Sequence, residues 1–152
     1  LVDSVWEGRL GMSLGGGTSF VSARDFARGA RLALEQGRPG DDFVISGRDG
    51  ENLDYAAFAD LVASVARREG GKPGPSPLVM PRLPALAAGA VLEVLAPRAG
   101  LSAGLVRSAS VRNWCSSAKA RARLGYEPSQ GLEAAISECR AFSRLAQATR
   151  RP

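Results

Sequence analysis

The stretch TSFVSARDFARGARLALE, Thr18 to Glu35, with GRPGDDFVISG, Gly37 to Gly47, just after it, decides the fold. Phe20 and Val21 centre a short β run. Ser22 stands three residues before Asp25, a capping-box-like spacing that starts a helix. Inside that helix Phe26, Ala30, Ala33 and Leu34 fall at i, i+4, i+7 and i+8, which predicts one buried stripe. Gly29 interrupts it at a cost of about 1 kcal/mol relative to alanine, and close packing of the helix backbone against a sheet explains it. Gly37-Arg38-Pro39-Gly40 is a turn, and Asp42 to Ser46 (DFVIS) reads as a second short apolar strand stopped by Gly47. Asp54 caps the next helix, whose inner face is Tyr55, Phe58, Leu61, Val62 and Val65, with Gly70 past its end. Strand, helix, strand, helix with short turns is the rhythm of α/β crossover units.

Working outward, Leu1 to Glu7 reads as the last turns of a helix ended by Gly8, and Gly11 to Gly17 as a glycine-rich loop. After Lys72 the prolines Pro73, Pro75, Pro77, Pro81 and Pro84 predict an extended crossing. Leu83, Leu86, Ala87, Ala90, Val91, Val94 and Leu95 then keep helical spacing, closed by Pro97 and Gly100. Ser116 or Ser117 caps a short helix that leaves through Gly125, and a final helix runs from Leu132 to about Gln147. Its expected inner face is Leu132, Ala135, Ile136, Cys139 and Phe142, with Cys139 as a small core residue. The composition divides the chain into residues 1–72, the strand-helix-strand-helix part, and residues 73–152, the Pro-rich crossing and helical part. The expected fold is α/β, with two short parallel strands and about five helices. Two strands are too few for a stable sheet, so the rest must come from another chain or from a longer polypeptide.

Composition removes whole classes of chemistry. The 152 residues include no histidine, which rules out Ser-His-Asp and Cys-His nucleophiles and every histidine metal site. Cys115 and Cys139 make no CxxC pair, so no Cys₄ zinc site is expected and a reduced, cytoplasmic setting is the default. The net charge of +5 comes from scattered arginines without an aromatic RNA-binding strand, so no nucleic-acid partner is expected. The apolar run Ala85 to Ala96 is shorter than the roughly 20 residues a bilayer needs, and Asp3 and Glu7 stand where a secretory signal would be basic.

Gly11 to Ser19 (GMSLGGGTS) fails the dinucleotide fingerprint, because a strand rather than a helix follows it, and it lacks the Lys-Ser/Thr ending of a P-loop. Asp41-Asp42 and Asp49 to Asn52 read as turn chemistry rather than a calcium loop, so no metal site is assigned. Neither Tyr55 nor Tyr126 has a lysine four residues later.

Taken in order, Thr18 to Glu35, Gly37 to Gly47 and SSAKARARLGYEP (Ser116 to Pro128) resemble the C-terminal half of an extended short-chain dehydrogenase/reductase, the NAD-dependent epimerase/dehydratase superfamily. The helices Tyr55 to Val65 and Leu132 to Phe142 fit the same order, so the likeness covers roughly residues 1 to 145. Within the superfamily the Gly-Arg-Pro-Gly turn and the Pro-rich passage are most similar to the dihydroflavonol-reductase-like branch. The resemblance implies the helix-rich, substrate-side part of a Rossmann-like fold. It also implies a first half that binds NAD or NADP and carries a Tyr-x-x-x-Lys pair, both upstream of Leu1. No catalytic or cofactor-binding residue is therefore carried over to this chain, which is expected to be inactive alone. Nucleotide-sugar epimerases of the superfamily usually place a phosphate-gripping arginine at the position of Thr18, so the resemblance points away from a nucleotide sugar and toward an apolar carbonyl or hydroxyl substrate. The loop Gly15 to Ser19 and the extended segment Leu78 to Leu83 are the implied pocket walls, with Gly17, Thr18, Ser19, Val79, Met80 and Arg82 as lining residues. The partners implied are a small-molecule substrate and the missing N-terminal half or a second copy. The rival reading is a non-enzymatic interaction module that reuses half of the fold.

Overall fold

The computed structural model describes residues 1–49, 51–95 and 102–149, the side chains of Leu92 and Gln147 apart. In chain order the elements are α1 (Val2–Trp6), β1 (Met12–Leu14), β2 (Gly17–Ser19), α2 (Ala23–Gln36), β3 (Asn52–Asp54), α3 (Tyr55–Arg68), β4 (Leu78–Met80), α4 (Arg82–Leu95), α5 (Ala103–Ala109), β5 (Arg112–Asn113), α6 (Ala118–Leu124) and α7 (Leu132–Thr149). The class is α/β and helix-rich, with two small sheets, ordered β1-β4 and β3-β2-β5. The β1–β4 and β2–β5 pairs are both parallel. The chain forms two compact units, Leu1–Thr18 with Leu53–Asn113, and Ser19–Asn52 with Trp114–Pro152. The boundary drawn at residue 72 marks a change in composition; the units follow contacts and are each assembled from two separate stretches.

In the first unit α3 supplies the core. Phe58, Ala59, Val62, Ala63, Val65 and Ala66 are buried on one side of it, and α1 brings Val5 and Trp6 against that side. Tyr55 and Leu61, expected on the same face, are half-buried. α4 forms over the residues whose spacing is helical; it lies against α5 and buries Ala85, while Leu83, Val91, Val94 and Leu95 are exposed. Helical spacing locates a face without saying whether anything covers it. Pro97 and Gly100 lie outside the described residues.

In the second unit the Ser22 cap forms as read: its hydroxyl accepts from the Asp25 amide at 3.0 Å. The buried positions of α2 are Asp25 and Gly29, with Leu32 and Ala33 half-buried, so the packed stripe is rotated from the expected one. Phe26 is 54% and Leu34 87% exposed. A Cβ on Gly29 would stand 2.8 Å from Ile45 Cγ2, so glycine is what lets α2 approach this segment. The core here is Ala120, Leu124 and Tyr126, against which Leu32, Ala33, Phe43 and Ile45 pack. α6 ends at Gly125 with φ +61°, the left-handed exit. On α7 Leu132 and Ile136 are buried as expected, but Cys139 is exposed and Phe142 is 73% exposed. Cys139 is therefore not a core residue.

Strand positions also differ from expectation. The Phe20 run pairs through Gly17–Ser19 instead, just before the aromatic. Asp42 to Ser46 is extended but joins no ladder among the described residues. Alternation of apolar residues sets an extended backbone; a ladder needs a neighbour, which the local sequence does not specify.

Candidate functional site

The six residues read as pocket lining fall into three places. Gly17 and Thr18 lie on β2, in parallel register with Arg112 and Asn113 of β5. Val79 and Met80 lie on β4, in register with Ser13 and Leu14 of β1, and Arg82 opens α4 as an exposed side chain. Within the first unit a Cβ on Gly15 would stand 3.7 Å from Val79 Cγ1, an ordinary packing distance. Ser19 belongs to the second unit. Its hydroxyl accepts from the Cys115 amide at 2.7 Å and is hydrogen-bonded to the Asn52 side chain, so it fastens the end of β2 rather than facing a ligand.

The glycines of this loop are explained by packing. A Cβ on Gly16 would fall 2.2 Å from the Ala109 carbonyl oxygen and 2.7 Å from that of Val111. Only glycine admits that approach, and with the carbonyls of residues 109 and 111 against it the loop has no room to cradle a pyrophosphate. This loop does not fit the pyrophosphate of a dinucleotide cofactor.

Gly17 has a different use. β2 lies between β3 and β5, and Arg112 on β5 stands opposite Gly17. From there its guanidinium reaches Asp54 on β3, with Nε to Oδ1 at 2.7 Å and Nη2 to Oδ2 at 3.1 Å. Two strand spacings are about 10 Å, so the arginine arm must cross the middle strand, and a residue without a side chain leaves the way clear. The hydrogen bonds from Arg112 and its positive charge hold the Asp54 carboxyl below the usual carboxylate range. Both guanidinium contacts of Arg112 are taken up by Asp54, so the pair braces the sheet. Sequence reading missed this pair because its members stand 58 residues apart and no local pattern links them.

The second unit carries a small open polar hollow of about 80 Å³, bordered by Phe20, Ser46, Gly47, Arg48, Asn52 and Ser116. Its charged groups are engaged within the unit. Glu51 accepts from the Arg48 amide at 2.7 Å and, through its other oxygen, from the Leu132 amide at 3.1 Å. The Arg48 guanidinium donates to the Ser129 carbonyl. Behind it Asp25 accepts from the amides of Ser129 and Gln130, each at 2.9 Å, and from the Ser129 hydroxyl at 2.8 Å. Burial pushes the Asp25 carboxyl up, but these donors and the Ser22 hydroxyl outweigh it and hold the group below the usual range. Tyr126 donates to the Ser46 carbonyl at 2.9 Å, and burial pushes its hydroxyl above the ordinary tyrosine value. Asp25 and Tyr126 thus brace the second unit.

These short ladders and their helix cover form an α/β arrangement that is shared with part of two longer solved structures. The chain is similar over 95% of its length to the crystal structure of gox2253, at 25% identity and TM-score 0.70, and covers 42% of that chain. It is similar over 94% of its length to PA4631, a nucleoside-diphosphate-sugar epimerase from Pseudomonas aeruginosa, at 22% identity and TM-score 0.66, and covers 40% of that chain. It therefore spans about two-fifths of the length of these structures. No family model and no curated protein matches the sequence. Among the described residues no helix is long and apolar enough to cross a membrane.

Proposed function

We propose that these residues are the C-terminal substrate-binding portion of an NAD(P)-dependent oxidoreductase or epimerase that acts on a carbonyl or hydroxyl substrate, without its cofactor-binding half and its catalytic Tyr-Lys pair. The observation that carries the reading is the likeness over 95% of this chain to only 42% of a longer one. The absence of a Tyr-x-x-x-Lys pair and the closed Gly16 loop support the division of labour: the residues here bind and orient a substrate, and proton and hydride transfer belong to the other half. The wall formed by the Gly15 loop and Val79 is apolar, and Thr18 offers no guanidinium. Both favour the dihydroflavonol-reductase-like branch and an apolar substrate over a nucleotide sugar. The expected setting is the cytoplasm.

Titration of the purified chain with NADH and with NADPH, followed by nicotinamide fluorescence, tests the reading. No saturable change is expected with either, and saturable binding at micromolar cofactor would overturn it. The exposed apolar residues of α4 also suit a non-enzymatic interaction module. In that case joining the chain to a cofactor-binding half restores no turnover of any carbonyl or hydroxyl substrate.

A further inference from the structure

α4 is built inside out. Its packed side is made of small residues: Ala85 is 1% exposed, Gly89 is buried, and a Cβ on Gly89 would stand 3.1 Å from the Ala103 nitrogen at the start of α5. Its larger side chains point the other way. Leu83, Ala87, Ala90, Val91, Val94 and Leu95 recur at i, i+4, i+7, i+8, i+11 and i+12, which places them on one face of the helix. All six are exposed, Leu83 and Val94 by 79% each and Leu95 by 77%. A core-facing helix does the reverse, as α3 does with Phe58, Val62 and Val65. Helices whose outer face meets hydrocarbon touch each other through small residues and turn the larger aliphatic ones outward.

The stripe carries no hydroxyl, amide or charge. A protein partner forms about one hydrogen bond for every 100–200 Å² of contact, and these six side chains offer it no group to bond. The charges lie beside the stripe instead, and nearly all have one sign. From Lys72 to Asn113 the sequence has five basic residues, Lys72, Arg82, Arg98, Arg107 and Arg112, against one acidic residue, Glu93. Glu93 is turned to α5, where it accepts from the Ala103 amide at 3.2 Å. Arg82 at the first position of α4 and Arg107 on α5 are exposed, and among the described residues neither is paired with a carboxylate. An apolar face flanked by cations is complementary to hydrocarbon beneath anionic headgroups.

We propose that the outer face of α4 docks on an anionic phospholipid surface, with the helix lying in the plane of the interface. At 14 residues the helix is about 21 Å long, too short to cross a bilayer but long enough to seat its aliphatic face among the upper acyl chains. Arg82 and Arg107 reach the phosphates from beside it. The proposal stands on α4 and α5 within one unit, not on the reaction proposed above. Nicotinamide binding by the chain would leave it standing, and failure to bind lipid would leave the substrate-binding reading untouched.

The test is flotation of the chain with vesicles of phosphatidylcholine and phosphatidylglycerol at roughly 3:1, and with vesicles of phosphatidylcholine alone, at about 0.1 M salt. The chain is expected to float with the anionic vesicles and about tenfold less with the neutral ones. Leu83→Gln/Leu95→Gln lowers the bound fraction about tenfold, and Arg82→Gln and Arg107→Gln lower it about fivefold each. Near-ultraviolet circular dichroism shows whether each variant is folded. Val94→Trp is a reporter that needs no loss of binding: its emission moves to the blue on the anionic vesicles and is quenched by brominated acyl chains. A parent that floats with neither vesicle overturns the proposal. So does an L83Q/L95Q variant that floats like the parent, since only adsorption of a basic protein then remains. Equal flotation on both vesicles removes the anionic headgroup and overturns it too. If L83Q/L95Q does not fold, V94W decides, and emission unchanged on bound vesicles shows that another face makes the contact. A dimer by light scattering that L83Q/L95Q dissociates, with no flotation, assigns the face to a second copy and overturns the lipid.

Discussion

Asp25 shows how a single carboxylate organises a unit that local sequence presents only as a helix start. It takes the Ser22 cap on one side and three donors from Ser129 and Gln130 on the other, more than 100 residues away. The position is 1% exposed, so the carboxylate is satisfied by protein donors rather than by water. Asp25→Asn exchanges an acceptor for an NH₂ group facing those donors and is expected to cost about 3 kcal/mol in urea unfolding. The pH dependence follows from the direction of the shift. A carboxyl depressed in the folded state contributes stability that is fully present above its unfolded value of about 3.9 and is lost as pH falls through the lower folded value. The gap in stability between the native chain and D25N should therefore be constant from pH 5 to 7 and shrink below pH 4. A gap that widens on acidification would contradict the assignment of Asp25 as the ionised hub.

Two element-level contacts depend on missing side chains. Gly29→Ala improves intrinsic helix propensity by about 1 kcal/mol, but its Cβ meets Ile45 Cγ2 and Cδ1 at 2.8 and 2.9 Å. The clash is expected to win, giving a net loss of 1–2 kcal/mol, and Ile45→Val, which removes Cδ1, should return part of it in thermal melts. If G29A stabilises, α2 does not lie as close to Ile45 as described. Gly17→Val blocks the crossing of the Arg112 arm to Asp54. It should lower the melting temperature, and adding Arg112→Ala should lower it little further, because the pair is already broken. Full additivity would mean that the arm does not pass over Gly17. These contacts also mark what the sequence could say. Helix starts and stops were legible because caps are local: Ser22 before Asp25, and Gly125 after Leu124. The faces of α2 and α7 were not, since periodicity reveals an apolar stripe but not whether a neighbour exists to cover it. In the candidate site the family's order of segments suggested the Gly15 loop and Leu78 to Leu83 as lining, without saying how they lie relative to each other. The Arg112–Asp54 pair was not, because sheet order alone brings those two side chains together.

At the scale of the molecule, the apolar side chains left in water are numerous and large: Leu34, Leu78, Leu83, Val94, Leu95, Phe142 and Leu145 are each at least 69% exposed. Singly such residues are ordinary; clustered on α4 and α7 they are surface that burial elsewhere would stabilise. Leu83 and Leu95 contribute little to the stability of this chain as it stands, since truncating an exposed side chain neither opens a cavity nor strands a polar group. The Leu83→Gln/Leu95→Gln double variant should therefore unfold in urea within about 1 kcal/mol of the parent. Its fluorescence with 1-anilinonaphthalene-8-sulfonate should nevertheless fall by at least half, because the dye reports accessible apolar surface. The parent should bind the dye while keeping a sharp near-ultraviolet circular dichroism signal, which separates a native protein with open apolar faces from a loosely packed state. A double variant that loses several kcal/mol would show instead that α4 is covered within this chain. A parent that binds no dye would show that its apolar residues are not open in solution, and the argument from uncovered surface would fail with them.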